Sequence, residues 1–131
     1  MNMDSNAKEK KRKPIPLMKS FSFAINGIQS AIKQERNIRI HLSVSIVVFV
    51  AGIAFSISTV QWLFVIFAIG GMIALELMNT AIERLVDLVT LEFHPLAKQA
   101  KDLAAGAVFS YAILSVIIGI IIFGPYILRL F

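Results

Sequence analysis

Long apolar stretches, interrupted by short polar ones, dominate the pattern of the chain. Residues 40–75 contain no charged side chain apart from a possible charge on His41, and this stretch is too long for one membrane span of about 20 residues. Polar residues at 56–61 are typical of a tight turn at the level of the lipid headgroups. We therefore predict two spans, over about 40–57 and about 60–89.

A third apolar stretch follows a polar connector at 90–102. Pro95 favours the start of a helix there, and the pair of Gly124 and Pro125 favours its end. The pattern predicts a third span over about 97–123. The fold class that follows is an all-α membrane protein.

The segment before the first span has a different pattern. Residues 1–18 are basic and lack apolar periodicity, so we predict that they are disordered. From about 19 to 35, apolar residues recur every three or four positions with polar residues opposite, which predicts an amphipathic helix lying in the membrane surface. Its apolar residues are Phe21, Ala24, Ile25, Ile28, Ala31 and Ile32. Residues 19–131 then form a single membrane domain.

Composition and charge support a membrane location and suggest an orientation. With 57% hydrophobic residues and a mean hydropathy of +0.78, the chain is too apolar for an ordinary soluble fold. Cysteine is absent, which excludes disulfides and thiolate metal sites. Nine of the 13 basic residues precede residue 40, and such segments stay on the cytoplasmic side. We predict a multi-pass protein of the cytoplasmic membrane, with its N-terminus inside, its C-terminus outside and no nucleic acid partner.

Ionisable and amide side chains lie near the end of the second predicted span, where a bilayer penalises them. In LELMNTAIERLVD (75–87), a period of about 100° per residue puts Glu76, Asn79, Glu83 and Asp87 on one face of the helix. Ionisable groups within a span are functional candidates by default. The alternative is that these acids only pair with basic residues at the membrane boundary, namely Arg84, Lys98 or Lys101. We prefer this alternative for Asp87 and the functional interpretation for Glu76.

Several carboxylates facing the ATP-containing side of a membrane are suited to phosphoryl transfer. Magnesium prefers oxygen ligands and binds through one or two carboxylates together with substrate phosphates. Phosphoryl transfer also needs a positive group near the phosphates and a base that positions the acceptor. No P-loop supplies these parts, because Gly70 and Gly71 are not followed by lysine; helix packing is their expected role.

Two polar motifs carry a resemblance to a known family. ELMNTAIERLVD (76–87), followed by AKDLAAGAV (100–108), resembles the signature of the small prokaryotic integral-membrane lipid kinases, the diacylglycerol kinase and undecaprenol kinase family. The similarity extends from Phe21 to Ile122. It implies a homotrimer with composite active sites that uses magnesium ATP to phosphorylate a lipid hydroxyl. The rival class is a non-enzymatic membrane scaffold or accessory subunit whose acids only set helix pairing.

The resemblance also implies roles for individual residues. It makes Glu76 the catalytic base and Glu83 a metal ligand, the latter together with Glu35. The residues that it implies as nucleotide contacts are Glu35, Asn79, Glu83, Glu92, His94, Lys101 and Asp102. Phe23 stands where a tyrosine often contacts the nucleotide, so the chain departs from the family pattern there.

Three of these assignments have simpler alternatives in the sequence itself. Glu35 and Arg39 are four residues apart and suit an i,i+4 ion pair on a helix. The neighbouring Lys101 and Asp102 suit the solvated start of a helix. His94, before a proline, suits a loop residue without a further role.

The lipid substrate has two candidates. The long basic N-terminus, NTAIERLVDLVT and HPLAK look more like the undecaprenol kinase branch than the diacylglycerol kinase branch. A polyprenol has one hydroxyl on an apolar tail, so we expect an apolar lipid site between the surface helix and the spans, formed by Phe21, Ile25, Ile28 and Ala105. Diacylglycerol would instead need polar partners for two ester groups, which Asn26, Gln29 and Ser30 are placed to supply. The small residues at 104–107 suit close approach of another chain.

Overall fold

The computed structural model describes residues 15–131, which form four helices and no strand. The helices are α1 (Leu17–Gln34), α2 (Arg36–Ala54), α3 (Thr59–Val89) and α4 (Pro95–Leu128). The last three are long and apolar enough to cross a membrane. The prediction of an all-α protein with three spans is confirmed. Residues 1–14, which hold most of the segment predicted to be disordered, lie outside the described residues.

Both ends of α1 differ from the predicted limits. The helix begins at Leu17, because Pro16 takes an extended conformation and its carbonyl accepts from the N–H groups of Lys19 and Ser20. It ends at Gln34, because Glu35 is a single extended residue with φ −99° and ψ 120°. The first span therefore starts at Arg36 rather than near residue 40, with a polar first turn.

The turn between α2 and α3 lies where the polar residues predict it. Ser56 has a positive φ of 50°. Ser58 then caps α3: its hydroxyl accepts from the N–H of Gln61, and the Gln61 side chain accepts from the N–H of Ser58. Such a capping box satisfies two backbone donors at a helix start. The hairpin thus holds α2 and α3 side by side.

The end of α4 was predicted wrongly, because the helix continues through Gly124 and Pro125 to Leu128. A proline so close to a helix end removes only one backbone hydrogen bond. Tertiary contacts hold this last turn: the Tyr126 ring stacks on Phe55 at 5.5 Å between centroids. Its hydroxyl also donates to Gln61 Oε1 at 3.0 Å.

One buried stripe on α3 forms the centre of the packing. The apolar part of the stripe consists of Val65, Ala68 and Met72, spaced three and four residues apart as one face of a helix requires. Helix α3 lies between α2 and α4, whereas α1 contacts only α2 and α3. The same stripe continues toward the end of α3 with polar side chains.

Gly71 permits the close contact of α3 with α4. The Tyr111 hydroxyl donates to the Phe67 carbonyl at 2.7 Å, and its ring lies where a Cβ on Gly71 would be. A Cβ on the neighbouring Gly70 would meet no atom within 4 Å. The expected packing role therefore belongs to Gly71.

We expect Gly71→Ala to lower the free energy of unfolding by about 1–3 kcal/mol, the usual cost of overpacking. Gly70→Ala is the matched control, and its stability should stay the same or rise slightly, because alanine is the better helix former. Thermal unfolding in one detergent, followed by Trp62 fluorescence, compares the two. Equal midpoints for both variants would refute this role for Gly71.

Candidate functional site

The buried stripe of α3 becomes polar over its last turns. Glu76 is only 3% exposed, and Asn79 and Thr80 are also buried. Glu83 is half-buried, whereas Asp87 is exposed. Because burying a carboxylate is costly unless it has a partner, Glu76 should have a specific neighbour.

That neighbour is His41 on α2. The distance from His41 Nε2 to Glu76 Oε1 is 3.1 Å, and the Glu76 side chain is 4% exposed against 27% for His41. A carboxylate accepts hydrogen bonds and the imidazole N–H donates them. The pair joins α2 to α3 at the first polar position of the stripe.

Asn79 and Glu83 form a second contact, one turn further along α3. Asn79 Nδ2 donates to Glu83 Oε1 at 2.9 Å. Asn79 Oδ1 is buried and has no hydrogen-bond partner among residues 15–131. A buried acceptor without a partner is rare in native proteins, and a water, a ligand or an ion usually supplies one.

Arg84 connects Glu35 to the same part of α3. Its Nη2 donates to Glu35 Oε1 at 3.2 Å and to Gln34 Oε1 at 3.0 Å, and its Nη1 lies 3.4 Å from Ser30 Oγ. The guanidinium therefore fixes the junction of α1 and α2 beside the turn of α3 that carries Glu83.

The alternative of an i,i+4 pair between Glu35 and Arg39 is wrong. Glu35 is an extended residue between two helices, so the helical spacing does not apply to it. Arg39 instead directs its Nη1 to the Lys33 carbonyl at 3.4 Å.

The connector between α3 and α4 encloses a cavity of about 380 Å³. It brings together four of the predicted nucleotide contacts, and its charged and polar lining residues are Asp87, Thr90, Glu92, His94, Lys98, Lys101 and Asp102. The predicted contacts Glu35, Asn79 and Glu83 do not line it. On one chain the predicted nucleotide residues thus form two separate groups.

Ion pairs cross this connector cavity. Lys101 Nζ lies 2.5 Å from Asp87 Oδ1, which confirms the pairing alternative preferred for Asp87. Lys98 pairs with Asp102 one turn away on α4. The predicted contacts Lys101 and Asp102 therefore each have a partner of opposite charge.

His94 has a local role in this connector. Its Nδ1 accepts from the Leu96 N–H at 3.2 Å, so it caps the N-terminus of α4, and Pro95 takes the first helical position. Proline is typical of this first helical position. His94 is a loop residue, as one interpretation predicted, and it also caps α4.

An apolar groove of about 340 Å³ lies between α2, α3 and α4. Its lining residues are Ile40, His41, Val44, Ser45, Val48, Val65, Ala68, Ile69, Met72, Ala112, Ser115, Val116, Ile118, Gly119 and Phe123. Glu76 contacts His41 and lies one turn after Met72 on α3. The end of the groove that His41 and Met72 line is therefore the end nearest Glu76. We name this feature the α2–α4 groove.

The predicted lipid residues lie elsewhere. Phe21, Ile25 and Ile28 are exposed on α1 and Ala105 is exposed on α4, and none of them lines the α2–α4 groove. Phe23, the doubtful nucleotide contact, is also exposed on α1. Phe21, Ile25 and Ile28 lie on α1, which does not contact α4, the helix that carries Ala105.

Sequence reasoning missed the two contacts that hold the acids of this site. His41 is the only ionisable side chain between Arg39 and Glu76, and an ionisable group within a span is a signal in itself. Arg84 was considered only as a partner for acids on its own helix or the connector. A contact across 49 residues of sequence, such as that with Glu35, leaves no periodic signal.

Comparisons with known proteins agree with the motifs. The family model of prokaryotic diacylglycerol kinases matches residues 22–123. An undecaprenol kinase of Bacillus subtilis is 48% identical over 107 residues, which are 82% of this chain and 87% of that protein. A diacylglycerol kinase of Synechocystis is 39% identical over 79% of this chain and 59% of its own length. A diacylglycerol kinase of Helicobacter pylori is 30% identical over 88% of this chain and 87% of its own.

Proposed function

Because this chain belongs to the prokaryotic diacylglycerol kinase family and is a membrane lipid kinase, we propose that it phosphorylates undecaprenol to undecaprenyl phosphate with ATP. Family membership excludes the rival class of a non-enzymatic scaffold. The observation that carries the choice of lipid is the 48% identity to an undecaprenol kinase, against 39% and 30% to diacylglycerol kinases.

Glu76 is the proposed base. The lipid oxygen forms a bond to the γ-phosphorus while the bond from that phosphorus to the bridging β,γ-oxygen breaks, so ADP leaves and the hydroxyl proton goes to Glu76. Enzymes position a carboxylate for such a proton transfer when the acceptor is an alcohol. The burial of Glu76 and its contact with His41, which lines the α2–α4 groove, support this assignment.

Magnesium fits the remaining acids. Among residues 15–131 no three His, Cys, Asp or Glu side chains cluster as a complete metal site, but magnesium usually takes one or two carboxylates and completes its shell with water and phosphate oxygens. Glu83 and Glu35 would hold it, and Asn79, whose amide contacts Glu83, would add its unpaired Oδ1 as a hard oxygen. The metal, when bound, neutralises charge on the transferred phosphate.

The connector cavity is the proposed site for the nucleoside part of ATP. Lys101 would turn from Asp87 toward the phosphates, because phosphoryl transfer needs a positive group near them. Glu92, His94 and Asp102 line the same cavity. The basic residues of the N-terminus and of 84–101 support a cytoplasmic position for this end of the bundle and for the N-terminus, with the C-terminus outside.

A homotrimer with composite sites fits the separation of the two groups of nucleotide residues. Glu35, Asn79 and Glu83 do not line the connector cavity on one chain, which supports a site that a neighbouring chain completes. Ala105, Gly106 and Ala107 are exposed on α4, and small residues permit close helix approach within a membrane. The exposed apolar face of α1, with Phe21, Ile25 and Ile28, would lie in the membrane surface and guide the lipid, and Ala105 on α4 would contact it.

The α2–α4 groove supports the polyprenol over diacylglycerol. Apart from His41, only Ser45 and Ser115 among its lining residues have polar side chains, which suits a hydrocarbon tail that carries no ester groups. The ester carbonyls of diacylglycerol would need further donors, and Ser30 on α1 already contacts Arg84.

We expect kcat/KM for undecaprenol to exceed that for diacylglycerol by at least about tenfold, or about 1.4 kcal/mol of transition-state discrimination. The measurement uses purified protein, magnesium, labelled ATP and both lipids at equal mole fraction in one micelle system. Each lipid assayed alone controls for unequal dispersal. A tenfold preference for diacylglycerol would overturn the choice of lipid and leave the lipid kinase activity in place.

A further inference from the structure

In the described part of the chain, Glu76 on α3 and His41 on α2 form the one contact between ionisable side chains that joins these two helices. The distance from His41 Nε2 to Glu76 Oε1 is 3.1 Å. No other side chain is hydrogen-bonded to Glu76 among residues 15–131. The orientation of this carboxylate therefore depends on a single contact.

The His41 contact involves one oxygen of the Glu76 carboxylate and leaves the other oxygen free of it. His41 Nε2 lies 3.1 Å from Oε1, and the second carboxylate oxygen keeps its lone pairs for a further donor. His41 also lines the α2–α4 groove at the end nearest Glu76. A hydroxyl at this end of the groove would lie beside His41, whose Nε2 is 3.1 Å from Glu76.

We propose that His41 is a positioning residue for the acceptor hydroxyl: its Nε2–H holds Glu76 so that the free carboxylate oxygen faces the polar end of the α2–α4 groove. This inference rests on the proposed role of Glu76 as the base. Misplacing a reacting group by about 1 Å costs on the order of a hundredfold in rate. Losing the imidazole should therefore slow the chemical step.

A purely structural role for the pair makes a different prediction. A buried carboxylate that loses its partner destabilises the protein, and such an effect would lower stability without acting selectively on the lipid step. A positioning residue acts through Glu76 alone. Its substitution should therefore change kcat more than KM for ATP, and the effect should disappear when Glu76 is already replaced.

The test compares three substitutions at His41. His41→Gln keeps an N–H donor at a similar distance from the backbone, whereas His41→Leu removes it and His41→Asn carries an amide too short to reach Glu76. We expect kcat to fall about 10- to 100-fold in His41→Leu and His41→Asn with KM for ATP unchanged. We expect His41→Gln to keep its rate within about fivefold. Ser43→Ala, an exposed position on the same helix, is the control.

The double variants complete the test. In a Glu76→Gln background, His41→Leu should have no further effect on kcat, because coupled residues are not additive. Should His41→Leu fail to fold, His41→Asn supplies the same comparison. Full activity in a folded His41→Leu or His41→Asn enzyme, or an equal loss of kcat in both backgrounds, would overturn the positioning role. Full activity of Glu76→Gln itself would instead overturn the proposed base.

Discussion

Replacing Glu76 by glutamine is expected to lower the rate of lipid phosphorylation by about a hundredfold to ten-thousandfold, the usual cost of removing a positioned base. The glutamine has nearly the same shape, and its carbonyl oxygen can still accept from His41. The buried contact of α2 with α3 at 3.1 Å should therefore persist. What is lost is the ability to take the hydroxyl proton.

Initial rates of label transfer from ATP to undecaprenol, together with thermal unfolding in the same detergent, check this expectation. Binding of a non-hydrolysable ATP analogue should remain close to that of the unmodified enzyme, because no proposed metal ligand is removed. A Glu76→Gln enzyme that keeps more than about a tenth of its rate would show that the buried carboxylate only serves helix packing.

Glu83→Gln has the second largest expected effect, and it acts on nucleotide affinity. A neutral amide binds magnesium more weakly than a carboxylate, so we expect the affinity for magnesium nucleotide to fall at least about tenfold, in line with changes around other metal ligands. The Asn79 contact at 2.9 Å can be kept by the amide oxygen. The loss should therefore be one of charge rather than of packing.

Titration of the non-hydrolysable analogue, with and without magnesium, measures this effect. Glu76→Gln is the matched control, since it makes the same chemical change two turns earlier on the same helix. Equal magnesium-dependent affinity in Glu83→Gln and the unmodified enzyme would remove Glu83 from the metal site and leave Glu35 as its only carboxylate.

The sequence predicted the helices well because their signals are local. The limits of α3 were predicted to within one residue, since Ser58 and Gln61 form a capping box that the sequence itself encodes. The end of α4 was predicted too early, because the contact of Tyr126 with Phe55 and Gln61 outweighs the local preference at Pro125. A tertiary contact of this kind has no signature in the neighbouring residues.

The candidate site was predictable only in part, for the same reason. Helical spacing placed Glu76, Asn79 and Glu83 on one face, and the structure buries the first two. The partners His41 and Arg84 reach these acids or Glu35 from distant parts of the chain. The α2–α4 groove depends on how three helices pack, and the lipid residues expected on α1 do not line it.

We propose that one face of α3 carries two roles: Glu76 takes the hydroxyl proton, and Glu83 binds the magnesium nucleotide. The most direct test is the rate of phosphoryl transfer to undecaprenol in Glu76→Gln and Glu83→Gln as magnesium ATP is raised to saturation. At saturation we expect the rate of Glu83→Gln to recover to within about tenfold of the unmodified enzyme, while the rate of Glu76→Gln remains at least about a hundredfold lower. Recovery of Glu76→Gln, or equal residual rates in both variants at saturation, would contradict it.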